Sequence, residues 1–168
     1  MQAPPAIRAA ATPNDIIEAR ALFEEYAAWL AVDLCFQGFS EELATLPGAY
    51  APPHGMLMLA GPEGAALGCV GLRPLDADTS RPDGIAGVGV AEVKRLYVRP
   101  AARGTGLGLR LAQTVIDGAR ALGYRELKLD TLERMVEARA LYARLGFRKC
   151  APYYHNPIPG AVYMSRLL

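Results

Sequence analysis

Cysteine, histidine and tryptophan are scarce in this 168-residue chain. The three cysteines, Cys35, Cys69 and Cys150, are odd in number and scattered, and there are only two histidines, His54 and His155. No C-x-x-C pair occurs, so neither a metal site nor a disulfide framework is expected. The cysteines read as buried free thiols of a reducing, cytoplasmic compartment. Long apolar runs are missing too. Stretches such as Met56–Ala60 and Cys69–Leu72 are far too short to span a bilayer, so no membrane segment is expected. The N-terminal MQAPPAIRAAA has no charged n-region followed by an apolar h-region, and no secretory leader is expected. Excess charge of one sign is also absent. Eighteen basic residues face 17 acidic ones, a formal +1, which gives no global pull toward nucleic acid or an anionic membrane.

What is present is a globular composition, 52% hydrophobic and 21% charged, over a length suited to one domain spanning residues 1–168. Ile7–Ala10 reads as a first strand. Thr12, Pro13 and Asp15 open a helix as N-cap, first helical position and acidic first turn. Ile16, Ala19, Phe23, Tyr26, Ala27 and Leu30 continue it as one apolar stripe. A loop through Cys35–Phe39 leads to a short helix, Ser40–Leu46, capped by Ser40. Met56–Ala60 and Ala66–Leu72 read as a hairpin and Asp76–Gly89 as a loop. Val90–Val98 is a strand, Gly106–Leu122 a helix stopped by Gly123, and Glu126–Thr131 an alternating strand. Met135–Leu145 is a helix ended by Gly146. Phe147–Ala151 and Ala161–Leu167 are final strands around a proline-rich connection, Pro152–Gly160. The order β-α-α-β-β-β-α-β-α-β-β predicts an α/β fold with a mixed central sheet flanked by helices.

The stretch RPAARGTGLGLRL, Arg99–Leu111, places Gly104, Gly106 and Gly108 between a strand and a helix start. Glycine is costly in a helix, so three here serve either a tight turn or the close approach of an anion to free N–H groups. A P-loop would need Lys-Ser/Thr after Gly108, where Leu109-Arg110 stands, and a dinucleotide fingerprint would need glycine at Leu109.

Val98–Gly108 resembles the acetyl-CoA motif of the GNAT family of acetyltransferases, Arg/Gln-x-x-Gly-x-Gly/Ala after a strand, with Arg103, Gly106 and Gly108 on its fixed positions. Downstream, Ala138–Phe147 is similar to that family's A-x-x-L-Y-x-x-x-G-F element at every fixed position, whereas Met135 stands where the family usually has asparagine. The resemblance runs from about Glu92 to Phe147. It implies acetyl-CoA as cofactor and direct transfer of its acetyl group to an amine, without a covalent enzyme intermediate. It puts the pantetheine arm on the backbone of Leu96, Tyr97 and Val98, with the Leu96 N–H toward the acetyl oxygen. The diphosphate then falls on Arg103, Gly104, Thr105, Gly106, Leu107 and Gly108.

Within that resemblance Tyr142 is the candidate general acid, since a phenol is protonated at neutral pH. The same residue also fits an apolar stripe with Ala138, Leu141 and Leu145. Glu92 lies eleven residues before Arg103, the offset of the general base in histone-type members, and is the candidate base; an ion pair with Lys94 on the same strand face is the plainer reading. Trp29, Asp33, Phe36, Gln37, Tyr153, Tyr154 and His155 are candidates for the acceptor site. The expected partner is a small-molecule primary amine, with no nucleic acid. A protein N-acetyltransferase and a non-catalytic acyl-CoA sensor are the rival readings. The resemblance also implies a homodimer formed through C-terminal strands, with Ala161–Leu167 offering an edge.

Overall fold

The computed structural model describes residues 4–75 and 89–168. The loop expected over Asp76–Gly89 therefore lies outside the described residues, apart from Gly89. Seven strands form one mixed sheet: β1 (Ile7–Ala9), β2 (Met56–Ala60), β3 (Gly68–Pro74), β4 (Val90–Val98), β5 (Glu126–Leu132), β6 (Arg148–Lys149) and β7 (Ala161–Leu167). Their spatial order is β1-β2-β3-β4-β5-β7-β6, with β4 and β5 parallel and every other pair antiparallel. Four α-helices complete the expected order: α1 (Pro13–Leu30), α2 (Phe39–Thr45), α3 (Leu107–Ala121) and α4 (Val136–Arg144).

Local chemistry explains the helix ends. Thr12 Oγ1 accepts the Asp15 N–H at 3.1 Å, and Asp15 Oδ2 accepts the Thr12 and Ala11 N–H groups at 3.0 Å each. This reciprocal capping box satisfies donors that the helix cannot. Those backbone bonds hold the Asp15 carboxyl below its ordinary range. Gly123 follows α3 at φ +85° and donates its N–H to Arg120 O, as a helix-ending glycine should. Ser40 does not cap α2. That helix starts one residue earlier, after Gly38 at φ +66°, and no side chain caps it, because glycine makes the left-handed entry at no steric cost.

Other boundaries also moved. The strand expected at Ala66–Leu72 runs Gly68–Pro74, because Leu67 is used to close the turn through its N–H to Ala60 O. The strand expected at Phe147–Ala151 pairs only at Arg148–Lys149, with Phe147 turned into the core. Ala161–Leu167 pairs along its full length with β5 but on its other side with β6 only at Ser165 and Met164, so most of that side has no partner strand among the described residues. Of the three cysteines only Cys69 is buried, and Cys35 is exposed on a short 3₁₀ turn.

The core sits on both faces of the sheet. On one, α3 buries Leu107, Leu111, Val115 and Ile116 against Val70, Leu72 and Leu127, each such side chain worth about 1.5–3 kcal/mol. On the other, α1 packs Leu22 and Phe23 against Leu57, Leu59 and Tyr50. No helix among the described residues is long and apolar enough to cross a membrane.

Candidate active site

The site begins with a failure of pairing. β4 and β5 pair only at Val90–Glu92 with Glu126–Lys128, and beyond that they diverge. The β5-facing peptide groups of Val93–Val98 therefore have no partner strand. β4 also carries a bulge. Gly71 opposes Lys94 while Cys69 opposes Tyr97, so β4 holds one extra residue, and Arg95 takes up φ +59°. That backbone is unfavourable for a non-glycine residue and persists only if its surroundings hold it. Here the buried Arg95 side chain is anchored by Glu42 Oε2 at 2.6 Å and Gln37 Oε1 at 2.9 Å. The gap between the strands is a cleft of about 530 Å³, walled by Leu96–Val98, Asp130–Leu132, Tyr26 and Trp29 of α1, and Tyr142 of α4.

At one end of this cleft the glycine turn enters α3. Gly104 and Gly106 have φ +76° and +81°, and a Cβ at either would stand in open space. No side chain caps α3. Its first N–H groups thus look out through a surface kept bare of side chains, a setting that suits a diphosphate. Thr105 Oγ1 bonds Ala102 O at 2.7 Å, so this hydroxyl closes the turn and its contribution to a ligand is its N–H. Arg103 donates from Nε to Val98 O at 2.9 Å and lays its guanidinium over Trp29, 4.6 Å from the ring centroid, and over Tyr97 at 5.7 Å. Free N–H groups, a glycine-lined space, an arginine and an unpaired strand fit the diphosphate and amide-bearing arm of coenzyme A.

Tyr142 lines the cleft, its ring edge-on to Phe147 at 5.8 Å. Burial pushes its phenol above the ordinary value, and no hydrogen bond engages its hydroxyl among the described residues. Tyr26, absent from the sequence-based candidates, also lines the cleft, with its phenol pushed up to about 12 by burial.

The far end is lined by a hydrogen-bonded wall. Gln37 Nε2 donates to the Tyr154 hydroxyl at 2.9 Å, and Tyr154 donates to Asp130 Oδ2. Asn156 Nδ2 donates to the same oxygen at 3.1 Å, and Lys94 Nζ reaches Asp130 Oδ1 at 2.8 Å. Burial alone would raise the Asp130 carboxyl, but Lys94 and these donors hold it below the usual carboxylate range. Glu92 is not on this cleft. It is 1% exposed, 2.9 Å from Arg73 Nη2 and 3.1 Å from Lys94 Nζ, and it accepts the Tyr153 hydroxyl at 2.8 Å. The ion pair with Lys94 that the strand spacing offers is thus formed.

Gln37 and Tyr154 therefore meet at the acceptor end, with Phe36 and Tyr153 just behind them. Trp29 stands apart, beside Arg103 at the cofactor end. Asp33 and His155 do not reach the cleft: Asp33 is exposed and accepts the Cys35 N–H at 2.8 Å, and His155 is exposed in its loop. Lys94, Asp130 and Asn156 were missed because their meeting depends on which strands pair. The one local signal was Lys94, two residues from Glu92.

Residues 19–147 match the acetyltransferase (GNAT) family profile. An uncharacterized N-acetyltransferase of Schizosaccharomyces pombe is 42% identical over 159 residues, covering 94% of this chain and 91% of the relative. Among solved structures, an acetyltransferase from Streptococcus agalactiae superposes with TM-score 0.76 at 19% identity, covering 99% of this chain and all of the other. An acetyltransferase from Salmonella typhimurium, solved with its cofactor acetyl-CoA, superposes with TM-score 0.69 at 20% identity, covering 98% and 94%. At these identities the two structures speak for the fold.

Proposed function

The chain belongs to the GNAT family of acetyltransferases, and on that premise we propose that it moves the acetyl group of acetyl-CoA directly to the nitrogen of a small-molecule primary amine. It is an acyltransferase, and acetyl-CoA is its donor. The small-molecule part of the reading rests on one observation. Gln37, on the loop after α1, is tied to Tyr154, on the connection before β7, and this tie across the acceptor end favours a small acceptor over an extended peptide.

Acetyl-CoA supplies an activated thioester carbonyl. The α3 N-terminus and Arg103 would hold its diphosphate, and the peptide groups of Leu96–Val98 that lack a β5 partner, apart from the Val98 carbonyl already taken by Arg103, would orient the arm, with the Leu96 N–H toward the acetyl oxygen. Tyr142, raised by burial and uncommitted, is a protonated donor at neutral pH and gives its proton to the departing sulfur. The amine nitrogen must arrive unprotonated. Glu92 does not line the cleft, so it takes that proton onto its carboxylate through an intervening water.

Release of free CoA thiol with a panel of small amines and peptides tests this. Turnover on small amines supports the reading. Turnover confined to peptides, or CoA binding with no turnover on any amine, overturns it.

A further inference from the structure

Behind the wall of Gln37, Lys94 and Tyr154 lies a second cleft of about 550 Å³, into which Arg73, Glu92, Lys128 and Tyr153 also face. Lys94 and Gln37 line both clefts, so the two adjoin there. Among the described residues the charges around the second one do not cancel. Arg73, Lys94 and Lys128 bring three cations, against the carboxylates Glu92 and Asp130. Both carboxylates are already engaged. Arg73 places Nε and Nη2 each 2.9 Å from Glu92 Oε2, and Lys94 lies 3.1 Å from Glu92 Oε1 and 2.8 Å from Asp130 Oδ1.

Among the described residues the unmatched cation is Lys128. Its Nζ sits over the Tyr153 ring, 5.6 Å from the centroid, and among the described residues no carboxylate comes within ion-pair distance of it. Tyr153 is itself pinned by its hydrogen bond to Glu92 at 2.8 Å. A cation held against a fixed ring in a concave site, with donors to spare and no free acceptor of charge among the described residues, attracts an anion and repels a second cation. A polyamine entering here would meet Lys128 and the partly exposed Arg73, with no unengaged carboxylate among the described residues to receive it.

We propose that this second cleft is an anion subsite of the acceptor. The acceptor is then a primary amine that also bears a carboxylate or another oxyanion, of the amino-acid class. Lys128 holds the anion, with Arg73 beside it, and the amine reaches the transfer cleft where Gln37 and Lys94 line both. This rests on the acetyl-transfer reading above.

The test uses matched acceptors: amino acids, the same amines without the carboxylate, and their phosphonate analogues. Thiol release gives kcat and KM, and calorimetry on the CoA-loaded protein gives acceptor binding without chemistry. The anionic members should be preferred. Lys128→Gln should raise their KM about 10- to 100-fold, the worth of a charge-assisted contact, while kcat moves less than about threefold. Neutral amines should be unaffected, and Lys128→Arg should restore most of the loss. Preference for phosphonates over carboxylates, with the same dependence on Lys128, supports the subsite and names its oxyanion. Better turnover of neutral amines than of their carboxylated partners, or an equal effect of Lys128→Gln on both, overturns it, as does absence of calorimetric binding by every anionic amine. Binding that depends on Lys128 but releases no CoA would keep the subsite and overturn acetyl transfer instead.

Discussion

Tyr142→Phe removes one hydroxyl and keeps the ring. The ring's contacts persist, since its edge packing on Phe147 and its place in the core beside Leu145 need no oxygen. No hydrogen bond to the hydroxyl is broken among the described residues. Stability should therefore change by less than about 1 kcal/mol, and CoA-induced thermal stabilisation should be retained. What is lost is the proton for the departing sulfur. A positioned acid of this kind should cost about 10- to 1,000-fold in kcat, or roughly 1.4–4 kcal/mol at the barrier. The pH dependence adds a sign. Burial raises the phenol above its ordinary value, so the acid form persists to higher pH than a free tyrosine allows. The wild-type kcat should show no basic limb from Tyr142 below about pH 10. Steady-state thiol release across pH, with melting curves with and without CoA, measures all of this. A variant that melts like the parent and turns over at the parental rate would reduce Tyr142 to a packing residue.

Gly106→Val should fold with some strain at φ +81° but lose most CoA-induced stabilisation, as judged by the melting temperature at saturating CoA; undiminished stabilisation would remove the phosphate cradle. Trp29 is the sole tryptophan and lies under Arg103, so CoA binding should change its fluorescence. Arg103→Ala should shift the free-protein spectrum and weaken CoA binding; titration curves identical to the parent's would exclude Arg103 from the diphosphate. Glu92→Gln should lose activity most near neutral pH and recover at high pH, where more amine is unprotonated. A kcat/KM profile of unchanged shape would leave Glu92 an ion-pair partner of Arg73 and Lys94 and nothing more.

Local chemistry was legible and long-range pairing was not. Thr12, Pro13 and Asp15 announce the start of α1 because a capping box is built from adjacent residues. The glycine turn and Tyr142 were legible as motifs, and Tyr142 and Arg103, which precedes the first glycine, line the same cleft. The bulge at Arg95 had no local signal. Arginine does not favour a positive φ, and what holds it there, Glu42 and Gln37, lies more than fifty residues away. Arg73 was invisible as a partner of Glu92 because the two meet only through the β3–β4 register. The acceptor wall needed α1's following loop, β4, β5 and the connection before β7 at once, so Gln37 and Tyr154 read only as polar residues in loops. Asp33 looked equally suitable, but its carboxylate is spent on the Cys35 N–H two residues on.

The central claim, direct acetyl transfer to an amine nitrogen, is tested most directly by mass spectrometry with isotope-labelled acetyl-CoA. The protein incubated with the donor alone should keep its intact mass. On adding an amine acceptor, the label should appear on the amine nitrogen, with one CoA released for each acetylated molecule. A protein that gains an acetyl group from the donor alone and then passes it on, or that releases no CoA with any amine, would contradict the account.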